Sequence, residues 1–416
     1  MDTKPRSASD SNQEDHQIPD TAHATQSDHS EQEIIELEES DKSWESENDN
    51  DSEDYHEEEQ KQPMKQPEIK YGVESLSVFS AHTDAVCCLE IDPTNQANIL
   101  TGSCDDKAML WNSNTLSLLK TFDQNKESIA HARYNFDGKY FCTVCLNNEI
   151  CIYKSETYQL IKKLDGPTAE ISFAQWHPLA NLIVCGSFDG TIWMFNAING
   201  EVIGTYVGHK GAISTGGFTT DGKLIYSGGA DGTVRTWYPM GKNSIVMQKG
   251  LLQMQGDEIN TAICHPVISK GLIIAGSNEG SVLYCSISSH KVSSIINVSK
   301  SSIESIGSSP SGIDVVGDLE GCVTFIDSIM MKIRSYIKLN SGCIKIIMSK
   351  NDELCYISTT KGAVYKIDFK KGEVKSIYIG HTGAILDFQV NKEENRLYTA
   401  GDDGKCRIYD LSQNKL

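Results

Sequence analysis

Three times along the chain an imidazole, a hydroxyl and a carboxylate recur at nearly the same spacing: His82, Thr101 and Asp105; His209, Ser227 and Asp231; His381, Thr399 and Asp403. These are the residue types of a hydrolytic triad, in which the imidazole takes the hydroxyl proton and the carboxylate orients the imidazole. An enzyme builds such a set once, so its recurrence points to a structural unit used repeatedly. Each carboxylate is followed by a large aromatic residue, Trp111, Trp237 or Tyr409. The Cys-x-x-Cys pair Cys142 and Cys145 invites a metal reading, but strand residues three apart face opposite sides and no second pair exists. His177 and His265, each before a proline, read as strand terminators. There is no P-loop, dinucleotide-type glycine loop, HExxH or EF-hand pattern. The sequence therefore predicts no catalytic residues, no metal and no cofactor.

The elements that position these residues follow from a repeat of about forty-two residues. Turn pairs occur at Asp105-Asp106, Asn147-Asn148, Asp189-Gly190, Asp231-Gly232, Glu279-Gly280, Glu320-Gly321, Lys361-Gly362 and Asp403-Gly404. Five residues after each pair stand Trp111, Tyr153, Phe195, Trp237, Cys285, Ile326, Ile367 and Tyr409, at intervals of 42, 42, 42, 48, 41, 41 and 42. Such pairs favour tight hairpins whose central residues need positive φ. Apolar runs on either side supply the remaining strands, four antiparallel strands to a unit. The predicted fold is all-β, an eight-bladed propeller.

At this point the chain resembles the WD-repeat family, most clearly from Gly208-His209 to Trp237 and from Gly380-His381 to Tyr409. The resemblance implies that His, turn Asp, hydroxyl and strand Trp form a buried hydrogen-bonded blade corner. His209, Ser227, Asp231 and Trp237 match every position. His82, Thr101, Asp105 and Trp111 match with Ala81 in place of the usual Gly, and His381, Thr399 and Asp403 match with Tyr409 in place of Trp. The other units lack the His, so their corners are expected to be held less tightly. The last unit has three strands before Leu416, and the apolar stretch 73–79 is expected to pair with it and close the ring over residues 72–416.

Charge is unevenly spread. Residues 1–70 hold 22 Asp and Glu against 6 Lys and Arg, a net of −16 out of −20 for the chain. So polar and charged a stretch cannot offset the entropy of ordering and is expected to form a disordered acidic tail, in which Ile34, Ile35, Leu37 and Trp44 could fold on a partner. The N-terminus lacks a signal-peptide pattern and the apolar runs are strand-length, so a soluble, cytoplasmic chain without membrane insertion is expected. The 13 scattered cysteines read as buried thiols rather than a disulfide framework.

In a propeller the hairpins between second and third strands share one face with the connections between blades. On that face 17 acidic residues stand against six lysines. The candidate partner-binding residues are Asp84, Asp106, Glu127, Glu170, Glu258, Glu279, Glu304, Glu320 and Asp402. Such a face attracts basic peptide, while the acidic tail repels nucleic acid, and no direct nucleic-acid partner is expected. Passages such as 79–111, 176–195, 301–308 and 380–388 further resemble the branch of the angio-associated migratory cell protein and its yeast relative, a ribosome-assembly chaperone. That resemblance implies a monomeric protein-binding scaffold whose client is a basic segment of a large-subunit ribosomal protein, or alternatively a cytoplasmic signalling and cell-migration adaptor.

Overall fold

The computed structural model describes residues 72–239, 251–253 and 257–412; the predicted acidic tail and its apolar patch lie outside them. The described residues form eight sheets; each has four antiparallel strands, and one carries a fifth, parallel strand at its edge. Blade one runs through Val86–Ile91, Asn98–Ser103, Ala108–Asn112 and Ser117–Phe122. The first strand of each blade lies beside the first strands of both neighbours, so first strands line the axis and fourth strands the outside.

This arrangement explains the residue pattern of each strand. Second and third strands are covered on both faces by adjacent blades, so Asn98–Ser103 and Ile313–Asp318 are buried throughout, as are Ala108, Met109, Leu110 and Trp111. Outer strands meet a neighbour on one side only, and Lys291–Asn297 alternates between exposed and half-buried. At each hairpin the second residue of the turn pair takes positive φ: Asp106 and Asn148 at 64° and 71°, and glycine in the other six. Asp and Asn tolerate this region better than other side chains, and glycine enters it freely.

The core is eight apolar slabs, one between each pair of neighbouring blades. Phe173, Val184, Met194 and Tyr206 of blade three, for instance, pack on Ile213, Phe218, Ile225 and Trp237 of blade four. The final slab joins Tyr398, Cys406 and Ile408 of blade eight to Val86, Leu89 and Trp111 of blade one, with Phe79 between them. The slabs thus close on themselves.

The stretch expected as one closing strand, 73–79, is two. Val73–Glu74 pairs in parallel with Tyr378 and Ile379 at the edge of blade seven. Ser77–Phe79 pairs antiparallel with Cys406 to Ile408 and becomes the fourth strand of blade eight. One straight strand could not do both, because Val73 buries in the slab between blades seven and eight and Phe79 in the next. Phe79 stacks on Trp111 with ring centroids 5.1 Å apart, and the Arg407 guanidinium donates to Ser75 Oγ at 3.1 Å, 332 positions away in the chain.

Candidate functional site

The three complete triad-like sets are blade corners. In blade four the His209 ring lies 2.9 Å from Asp231 through Nδ1 and 2.8 Å from Ser227 Oγ through Nε2, and the Trp237 indole donates to Ser227 Oγ at 2.9 Å. The ends fix the direction of this relay: an indole only donates and an ionised carboxylate only accepts. Ser227 therefore donates to His209 Nε2, and His209 Nδ1–H donates to Asp231. Burial drives the His209 pKa below its ordinary value despite the carboxylate, which keeps the ring neutral as the relay requires. Burial alone would push Asp231 up, but the Lys210 amide, the Thr233 hydroxyl and His209 hold it down at about 2. Blade one repeats the set, with His82 3.0 Å from Asp105 and 2.8 Å from Thr101, and the Trp111 indole on Thr101 at 3.0 Å. In blade eight His381 lies 2.8 Å from Asp403 and 2.7 Å from Thr399, while Tyr409 packs edge-on against Tyr378 in place of an indole bond. Thr101, Ser227 and Thr399 are 0% exposed, so none of these hydroxyls can reach a substrate.

Blade two fills the same corner differently, which the sequence reading missed. Asn125 is buried where other blades place His, and its Oδ1 accepts from Thr143 at 3.3 Å, while its Nδ2 has no partner among the described residues. The cysteine pair behaves as strand geometry requires: Cys142 enters the slab towards blade three and Cys145 the slab towards blade one. His177 and His265 each accept, through Nδ1, the amide two residues on, and so cap their turns.

One face of the disc is organised by a bond repeated in every blade. The residue just before each turn pair donates its amide to the connection entering the blade: Cys104 to Ala85, Leu146 to Ser128, Phe188 to Glu170, Ala230 to Ala212, Asn278 to Glu258, Leu319 to Ser302, Thr360 to Gly342 and Asp402 to Ala384. Hairpins and connections are thereby pinned into one rim. Asp84, Glu127 and Glu258 lie exposed on the connections and Asp106, Glu279, Glu320 and Asp402 exposed on the hairpins, with Glu170 half-buried between them. Glu320 is partly countered by Lys338 at 3.6 Å. Glu304 is corrected: it is the second residue of the inner strand Ile303–Ser308 and half-buried, not part of a loop. A bulge at that position in all eight inner strands draws one more residue into the sheet than the turn spacing suggests. Two further acids counted on this face, Asp257 and Asp318, are buried and accept the Glu279 and Cys322 amides.

Inside the ring a charged cluster crosses blades seven, eight, one and two. Asp387 is buried, with its carboxylate 2.5 Å from Lys345 Nζ and 3.4 Å from the Arg133 guanidinium, and it accepts the Leu89 amide at 2.9 Å. Burial opposes its ionisation, but Lys345 and Arg133 keep its pKa below the ordinary value. Glu90 sits 3.4 Å from Arg133 and accepts from Gln389 at 2.7 Å. Aligning the inner strands residue by residue, which brings Lys345 and Asp387 to the third position and Glu90 and Arg133 to the fifth, would have revealed these axial positions.

An all-β ring of eight blades with corners of this kind is a WD-repeat propeller, and the WD domain, G-beta repeat model matches residues 73–112, 158–196, 200–238 and 372–410. Each match starts with an outer strand and ends with the third strand of the next blade, the same one-strand offset that lets Ser77–Phe79 complete blade eight. The chain is 26% identical over 353 residues to the angio-associated migratory cell protein of Canis lupus familiaris, covering 81% of this chain and 80% of that one. Among solved structures, Saccharomyces cerevisiae Sqt1 matches with a TM-score of 0.76 and 20% identity over 82% of this chain and 100% of that chain. Chaetomium thermophilum Sqt1 bound to the N-terminus of the ribosomal protein L10 matches with a TM-score of 0.74 and 18% identity over 81% and 100%.

Proposed function

We propose that this chain is a non-enzymatic holding chaperone whose acidic rim captures a basic segment of a large-subunit ribosomal protein during ribosome assembly. The observation that carries the reading is the rim itself: exposed Asp84, Asp106, Glu127, Glu258, Glu279 and Asp402 recur on the turns and connections of one face. Carboxylates at the edge of a low-dielectric disc speed the approach of a cationic segment and reject nucleic acid. The neighbour with the same architecture that holds the N-terminus of the ribosomal protein L10 supports the choice of client. On this reading the protein acts as a cytoplasmic monomer, and residues 1–70 add a second acidic region whose contribution is separable.

The test is retention of ribosomal protein by the purified chain, with and without residues 1–70, at rising salt. Capture by charge is lost towards 1 M salt, where the Debye length falls to about 3 Å. Retention that ignores salt sinks the reading. A second reading, a cytoplasmic signalling and cell-migration adaptor, draws on the likeness to the angio-associated migratory cell protein along most of the chain. Salt-resistant capture of a signalling receptor from cell extract, with no ribosomal protein retained, would favour it.

A further inference from the structure

The eight residues that precede the turn pairs occupy equivalent places on the rim, yet their chemistry is not uniform. Leu146 and Phe188, in neighbouring blades two and three, are large, apolar and 40% and 49% exposed. Of the other six, Asn278, Thr360 and Asp402 are polar, Ala230 is small and Cys104 is half-buried. Leu319 of blade six is also apolar and 52% exposed, but it stands alone between Asn278 and Thr360, whereas Leu146 and Phe188 are adjacent. Neither Leu146 nor Phe188 belongs to the apolar slabs flanking its blade, so the fold does not need their side chains. A polar residue would keep more of the rim compatible with water, as Asp402 does.

Both side chains stand on fixed supports. The Leu146 amide donates to Ser128 at 3.0 Å, beside Glu127, and the Phe188 amide donates to the carbonyl of Glu170 at 3.0 Å. Asp189, next to Phe188, accepts from Thr168 at 3.0 Å and from Thr191 at 2.5 Å, which locks the turn. Along this arc anionic and apolar groups therefore alternate as Glu127, Leu146, Glu170 and Phe188. Rigid presentation lowers the entropy lost when a ligand binds. A purely cationic segment would leave both apolar side chains in water, and a purely apolar one would desolvate the carboxylates without neutralising them.

We propose that the rim over blades two and three receives an amphipathic basic segment, in which one large aliphatic or aromatic side chain is flanked by Lys or Arg. The apolar side chain lies against Leu146 and Phe188, and the cations reach Glu127 and Glu170. This rests on the acidic-rim reading and narrows it, because it makes the client's apolar residue part of what is recognised.

The experiment measures binding of the full chain to two short labelled peptides of equal positive charge by fluorescence anisotropy. One carries a tryptophan between its basic residues, and the other carries serine in its place. The tryptophan peptide is expected to bind about tenfold more tightly, the order set by burying one large apolar side chain. Leu146→Ser combined with Phe188→Ser should erase that difference while leaving affinity for the serine peptide unchanged, which also reports that the variant is folded. Glu127→Lys with Glu170→Lys should weaken both peptides. Equal affinity of the two peptides for the unaltered chain, or a difference that survives the double serine variant, overturns this inference and leaves the acidic-rim reading standing. Binding of neither peptide overturns both.

Discussion

Blades four and six have the same four-stranded sheet, fixed by polar groups at opposite ends. In blade four the set is the His209, Ser227, Asp231 and Trp237 corner at the rim. Blade six has Ser299 where that His would stand, and its polar anchor lies at the far end of the second strand. There Asp314, 0% exposed, accepts from Ser308 at 2.6 Å and from Tyr284 of blade five at 2.7 Å. The apolar slabs are alike in the two blades, and the polar anchors are not. The slab makes a blade, and a polar anchor at either end selects its exact seating against the neighbours.

The most severe way to break this comparison is to hollow both slabs. Phe218→Ala and Phe325→Ala each remove a buried slab ring outside the polar anchors and should each cost about 3–5 kcal/mol in denaturant unfolding. A much milder loss in one blade would show that its anchor, not its slab, carries the stability. Removing the anchors should cost less. Asp314→Ala leaves the Tyr284 and Ser308 hydroxyls buried without their acceptor, and Asp231→Ala does the same to the His209 ring. Each should destabilise by about 1–3 kcal/mol per stranded group in the same assay.

Acid should separate the two blades with opposite signs. His209 and Asp231 both have folded pKa values below their unfolded ones, His209 through burial and Asp231 through its donors in spite of burial. The unfolded chain then binds more protons, so this stabilisation is complete above the ordinary histidine value of 6.5 and is lost as pH falls towards about 2. Asp314 is the reverse: burial raises its pKa above 3.8, so its protonation favours the fold and its contribution grows as pH falls through the raised value. Hydrogen exchange on acidification should expose the blade-four corner while blade six keeps its protection; equal loss in both would contradict the assignment. The smallest effect on stability is expected at the rim. Glu127→Lys with Glu170→Lys should shift unfolding by no more than about 0.5 kcal/mol per site while weakening capture of basic ligand.

Much of this architecture was legible because hairpin chemistry is local. Asp231-Gly232 and its seven equivalents announce positive φ wherever they stand, and the strand pattern around them follows from covering both faces of the sheet. What depends on contacts between distant parts of the chain was harder to read. Asp387, in Ile385–Val390, reads as an ordinary polar strand residue until its partners Lys345, Arg133 and the Leu89 amide are brought to it. Glu304 was misplaced because the inner-strand bulge has no local turn signal, and Asn125 was missed because a side-chain amide there accepts the strand hydroxyl in place of an imidazole. The break within 73–79 reflects two separate slabs claiming Val73 and Phe79. The acidic character of the rim was visible in the residue types, but which carboxylates stay exposed and which serve backbone amides depended on the fold.

The closing seam also has a consequence in time. Ser77–Phe79 finds its place only against Cys406 to Ile408, so during translation the early segment must wait while most of the disc is made. At the usual pace of synthesis that interval is on the order of half a minute. Until then the growing chain carries an uncapped strand edge, and the first and last blades can seal only after residues 406–408 have emerged.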